Sequence, residues 1–332
     1  MHFSDLYTPR FIISKSEVIA AAGSCFAQHI GAQFKRRGYN FLDVEPPPPL
    51  LPEAQYHDYG FDLYSARYGN VYSVRQLLQL LRRARGEFTP KENAWTDDKG
   101  RVRDPFRPSI EPDGFASLAE MEADRAYHLS QVAGILRQAD LFVFTFGLTE
   151  AWECVEDGAI LPTCPGTIGG SFDPERYRFK NFTFSEVMAD AEEVIALARA
   201  ENPEMKFLFT VSPVPLTATA TDDHVLSATV YSKSVLRAVC GELRAKYDAV
   251  DYFPSYELVA SHPMRAMFYM PNLRTVAPDG VKSVMEVFFA AHRGKGADVA
   301  AQPKAAARPG PAPEADPDDV VCDEEILEAF GR

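Results

Sequence analysis

Short β-branched or apolar runs alternate with longer amphipathic segments along most of this chain, and no other feature restricts its fold as strongly. An unbroken apolar run reads as a strand buried on both faces, whereas apolar residues recurring every three to four positions mark a helix with one stripe turned to a core. Runs at 18–22, 141–146, 207–211 and 250–253 are close to the first kind, interrupted only by Thr145, Thr210 and Asp251. Phe26, Ile30 and Phe34 recur at helical spacing and stop near Gly38, and Ser73 precedes a helix carrying Val74, Leu77, Leu78 and Leu81. Ser117 with Glu120 and Thr183 with Glu186 have the capping-box spacing that satisfies orphan helix donors, so two more helices open there. Tyr231, Val235, Ala238 and Val239 mark a helix between the last two strands, and Val281, Val284 and Phe288 mark a final one. The pattern predicts an α/β, flavodoxin-like, three-layer fold with a parallel sheet covered on both faces.

A chain of 332 residues supports one main domain, placed at 1–293. Within it, Pro46-Pro47-Pro48-Pro49 and the polar, aromatic-rich stretch at 93–115 suggest an insertion at about 44–115 that forms a cap or rim. Residues 294–332 are dominated by Ala, Pro, Gly and charge, which bury too little apolar area to offset chain entropy. They are expected to be a disordered tail, with a short helix at 323–330.

The formal net charge of -13 opposes nucleic acid as a partner. No stretch approaches the about 20 apolar residues that span a bilayer, and residues 1–5 lack a basic-then-apolar secretion signal. The expectation is a cytoplasmic protein without membrane insertion. Five cysteines at wide spacing, with no Cys-x-x-Cys, suggest neither a disulfide framework nor a zinc site. No phosphate loop or His-Glu-x-x-His occurs, and Gly166-Thr167-Ile168-Gly169-Gly170 lacks the strand-helix context of a dinucleotide fingerprint. No cofactor and no metal are expected.

In open α/β sheets ligands bind beyond the carboxyl ends of the strands, so the residues after each run are the first site candidates. They are Gly23-Ser24-Cys25, Gly147-Leu148-Thr149-Glu150, Ser212-Pro213-Val214-Pro215 and Pro254-Ser255-Tyr256-Glu257. A cysteine at a helix N-terminus feels the dipole and amide donors that favour the nucleophilic thiolate, and the same amides suit an oxyanion. The turn is therefore expected to present Cys25 or Ser24 to solvent. Against this stands a structural reading in which Cys25 is a small buried apolar residue and Ser24 caps the helix.

A base is sought among the histidines: His224, oriented by Asp222 or Asp223, with His262 as the alternative. Glu150 suits substrate binding, and Lys233 with Arg237, spaced i and i+4, suits an anionic group. Trp95, Phe106, Trp152 and Tyr231 are candidates for an aromatic platform, although core packing is the commoner fate of such residues.

Gly23-Ser24-Cys25-Phe26-Ala27, followed in order by blocks at 144–152, 210–216 and 231–237, resembles the GSCFA family, which is related to the SGNH/GDSL hydrolases. The resemblance runs over roughly residues 2–292. It implies that Cys25 holds the nucleophile position of the Gly-Asp-Ser turn, with Ser24 in place of the aspartate. Gly147 and Thr149 fall on the Gly-x-Asn-Asp block, with Thr149 replacing the oxyanion-binding asparagine. Gly69 corresponds to a backbone oxyanion donor, and Asn70 to a polar lining residue. The usual Asp-x-x-His is absent, since the matching stretch is Asn272-Leu273-Arg274-Thr275. The implied activity is that of an acyl-ester hydrolase or acetyl-type O-acyltransferase, acting on a carbohydrate or related small ester through an acyl-enzyme. A non-catalytic carbohydrate- or partner-binding module is the alternative.

Overall fold

The computed structural model describes residues 5–293; the tail, Cys322 and the expected helix at 323–330 lie outside the described residues. The first strand, β1 (Ile19–Gly23), runs into α1 (Phe26–Arg36), which ends before Gly38 at a positive φ of 69°. A long excursion with a single-turn helix at Glu53–Gln55 leads to α2 (Val74–Ala84), whose N-cap Ser73 accepts the Gln76 amide. A two-stranded ribbon, β2 (Trp95–Thr96) and β3 (Val102–Arg103), precedes α3 (Leu118–Gln138) and β4 (Leu141–Phe146). Three strands follow: β5 (Glu150–Cys154), β6 (Ile160–Leu161) and β7 (Tyr177–Asn181). The chain then continues through α4 (Phe184–Glu201), β8 (Lys206–Val211), α5 (Val225–Lys246), β9 (Val250–Tyr252), α6 (Ser255–Ala260) and α7 (Pro278–His292).

The central sheet is parallel, with strand order β1-β4-β8-β9. Alternate side chains of each strand feed different cores, as period-two geometry requires. Ala20, Ala22, Phe142, Phe144, Phe207 and Phe209 pack with α2, α3, α4 and α5. Ile19, Ala21, Leu141, Val143 and Leu208 pack with α1, α6 and α7 on the opposite face. The fold is therefore α/β in three layers, as the sequence pattern predicts. The outer edge of β1 is covered by chain rather than left open: Phe41 bridges Ile19, and the Ser65 hydroxyl accepts the Ala21 amide.

A second sheet departs from the expected pattern. β6-β5-β7 is antiparallel and grows directly from the carboxyl end of β4, adding a wall beside that end. Thr149, between β4 and β5, accepts the Phe182 amide on its carbonyl, which ties this sheet to the start of α4.

Candidate active site

Register places the site. Gly23, Thr145 and Thr210 lie in one row across β1, β4 and β8, so Ser24, Gly147 and Ser212 emerge together from one edge of the sheet. The ladder extends one residue further, since Ser24 N donates to Thr145 O and Ser212 N to Phe146 O. Gly23 has φ 144°, and a Cβ there would stand 2.6 Å from the Thr145 carbonyl oxygen, so only glycine lets β1 approach β4 closely enough to make the turn. Cys25 is the N-cap of α1 in right-handed helical conformation, and Ala27 N donates to Ser24 O. The Ser24 side chain caps nothing: its hydroxyl is shut from solvent with no hydrogen-bond partner. Such an orphan hydroxyl forfeits about 1–3 kcal/mol, and buried groups of this sort call for a reason.

The turn is nearly closed, where solvent exposure was expected. Cys25 is 4% and Ser24 3% exposed. They line a cavity of about 10 Å3 together with Gly147, Ser212 and Lys233, a space of roughly one water molecule. Lys233 is 2% exposed, and its Nζ donates to the Gly147 carbonyl at 2.6 Å. No acidic residue and no histidine lines this cavity. Its neighbour on α5, Ser232, accepts the Thr149 amide on its hydroxyl at 2.9 Å, so two successive residues of α5 hold the segment leaving β4.

A larger cavity of about 210 Å3 adjoins the first, the two sharing Tyr72, Leu148 and Leu216 as walls. Its lining includes Glu150, Trp152 and Phe179 from the antiparallel sheet, and the loop after β8. Thr219 on that loop donates its hydroxyl to Glu150 Oε1 at 2.7 Å.

Of the residues proposed from sequence, Cys25, Ser24, Gly147, Ser212 and Lys233 are brought to the inner cavity and Glu150 to the outer one. The others are placed elsewhere. Thr149 is fully buried and its hydroxyl donates to Asn181, while both Gly147 and Leu148 amides donate to Tyr72 O, so these groups already have partners. Asn70 is buried with its side-chain oxygen accepting from Tyr64 and Gln28, and Gly69 beside it is a left-handed turn residue. Neither lines either cavity.

His224 is exposed and caps α5, its Nδ1 accepting the Leu226 amide at 3.1 Å. His262 is exposed in the short helix His262–Met264. Tyr231 is 44% exposed, and Trp95 and Phe106 are buried in a separate apolar cluster, which leaves Trp152 from the expected platform. Arg237 pairs with Glu257 at 2.5 Å, away from Lys233 in role.

The other described thiols are electrostatically unlike a nucleophile. Burial pushes Cys154 up to about 12 and Cys164 up to about 11, and it raises Cys240 further still. No described helix is long and apolar enough to cross a membrane.

No curated protein matches the sequence. Among solved structures, the crystal structure of an acetyl esterase mutant with acetate ion is similar at 10% identity and a TM-score of 0.36, with 84% of this chain and 94% of that chain covered. A superposition that loose carries no argument about chemistry. The model of the GSCFA family matches residues 18–288, which include the turn, both cavities and every strand of the central sheet, and the chain belongs to that family.

Proposed function

We propose that this protein is an esterase-type acyl-transfer enzyme that removes a short acyl group from an ester through a thioester at Cys25. The observation that carries the reading is the convergence of Cys25, Ser24 and Lys233 on one cavity at the carboxyl ends of β1, β4 and β8. A helix start favours thiolate, and a neighbouring ammonium favours it further. Because His224 lies on the outside of α5, Lys233 takes the proton-transfer role, as lysine does in serine-lysine hydrolases.

The steps balance without another reagent. The Cys25 thiolate attacks the ester carbonyl, forming a C–S bond and an oxyanion that the positive end of the α1 dipole stabilises. Collapse breaks the C–O bond, and the departing alkoxide takes a proton from the Lys233 ammonium. The resulting amine then removes a proton from water or an acceptor hydroxyl as that oxygen attacks the thioester. Cys25 leaves as thiolate, and Lys233 is an ammonium again. Hydrolysis and transfer differ only in the oxygen that enters.

Incubation with vinyl acetate, followed by mass mapping, tests the reading. A single acetyl group on Cys25, absent from Cys25→Ala and retained in Ser24→Ala, is expected. Loss of the label in Ser24→Ala but not in Cys25→Ala moves the nucleophile to oxygen, and labelling indifferent to both removes the enzyme reading. In that case the near-closure of the turn favours the binding-module alternative.

A further inference from the structure

We infer that the outer cavity is the alcohol subsite of the same centre, built to hold a neutral hydroxylated ring of the pyranoside class; this rests on the esterase reading. The division of space comes first. The inner cavity, at about 10 Å3, has room for one water-sized group, about the size of a methyl substituent. The outer one, at about 210 Å3, is large enough for a monosaccharide-sized group in contact with the shared wall of Tyr72, Leu148 and Leu216.

Its chemistry comes second. The Trp152 indole is held by edge contacts with Phe172 and Phe179, with ring centroids 5.2 and 5.9 Å away, so it is fixed before any ligand arrives. A rigid aromatic face suits the C–H face of a sugar ring. Glu150 supplies a carboxylate acceptor for ring hydroxyls, and its Oε1 is already oriented by Thr219. Thr163, 7% exposed, lines the same cavity, with its hydroxyl oxygen shut from solvent. No lysine, arginine or histidine lines the cavity, which disfavours an anionic ligand. An alkyl chain would be buried against the Glu150 carboxylate, stripping it of water without replacing the lost hydrogen bonds.

The test is binding to the full chain, read by Trp152 fluorescence and calorimetry with methyl glucopyranoside, glucose phosphate and hexanol as separate probes. Saturable binding of methyl glucopyranoside is expected, weakened about ten-fold by Glu150→Gln and by Trp152→Ala, with the phosphate and the alkanol binding less well. Tighter hexanol binding makes the cavity an acyl or alkyl pocket, and tighter sugar phosphate binding requires a cation the lining lacks; either overturns the inference. No binding of the glycoside in a protein whose Cys25 is acetylated by vinyl acetate overturns this subsite alone. Saturable glycoside binding without Cys25 acetylation overturns the esterase reading, and with it the assignment as an alcohol subsite, leaving a carbohydrate-binding pocket.

Discussion

Two regions of this molecule bury cations, and they do so in opposite ways. Under the loop that precedes α3, Arg107 is flanked by Asp104 at 3.1 Å and Asp124 at 2.7 Å, Arg125 reaches Asp104 at 2.8 Å, and Arg67 reaches both Glu111 and Asp124. Burial alone would raise the Asp104 pKa, but the guanidiniums of Arg107, Arg125 and Arg83 hold it far below the usual carboxylate range. Beneath the turn after β1, by contrast, the Lys233 Nζ donates to the Gly147 carbonyl and shares a small cavity with Cys25, Ser24 and Ser212, walled by Leu148, Val214 and Leu216. Opposed charges that interlock make a staple; a lysine and a thiol that share one small cavity make a place where charge can develop. The comparison teaches that burial of charge is not itself the functional signal, and that the composition of the surrounding wall is.

The largest expected effect lies in the paired region. Asp104→Ala leaves buried guanidiniums uncompensated and is expected to cost about 3–5 kcal/mol of stability, read from urea denaturation midpoints. A cost near zero would break the distinction, because the cluster would then be no staple. Lys233→Met should do the reverse, lowering Cys25 acetylation by about 100-fold while costing only about 1 kcal/mol of stability for the donor lost by Gly147 O. Equal losses of stability in both variants would make Lys233 structural.

The acid limb of stability sharpens the same contrast. His128 is buried and its Nδ1–H donates to the Glu45 carboxylate at 2.7 Å. Burial, with help from the nearby Arg107, lowers its pKa to about 4. The folded state thus holds it neutral while the unfolded chain protonates near the ordinary value of about 6.5. Its contribution is complete above that value and is lost as pH falls from about 6.5 through about 4. His128→Asn should flatten the fall of Tm across this window; an unchanged slope would assign it to other groups, His292 among them. A smaller effect is expected from Gly147→Ala. A Cβ there would lie 2.8 Å from Tyr72 O and 3.0 Å from Ser24 Cβ, pressing on both cavities' walls. Overpacking of this kind costs about 1–3 kcal/mol, and acetylation rate should fall more than the thermal midpoint suggests.

Much of the fold was legible because the central strands are buried on both faces. Leu141–Phe146 and Lys206–Val211 are nearly unbroken apolar runs, and Ser73, Ser117 and Thr183 cap helices by local rules that need no tertiary knowledge. The antiparallel sheet was less legible. Tyr177 and Phe179 alternate with Arg178 and Lys180 in a period-two signal, but it is short and is fixed only by pairing with β5. The turn at Ser24 and Cys25 was visible as a strand-to-helix junction, whereas its near-closure depends on Tyr72 and the loop after β8, both distant in sequence.

Lys233 and Arg237 show why side-chain roles resist sequence reading. They are spaced as one charged helix face, yet Lys233 turns into the sheet edge and Arg237 pairs with Glu257. His224 precedes a helix that reaches the site, but its ring caps that helix from outside. Neither distinction is encoded in local composition.

The pH dependence of Cys25 acetylation by vinyl acetate, compared between the natural protein and Lys233→Met, tests the central claim most directly. The account predicts that the natural protein reacts far faster near neutrality and that the two rates draw together only as pH rises well past the ordinary thiol value of about 8.5, because burial disfavours the thiolate in the variant. Superimposable profiles would contradict it, since Lys233 would then have no part in creating the nucleophile.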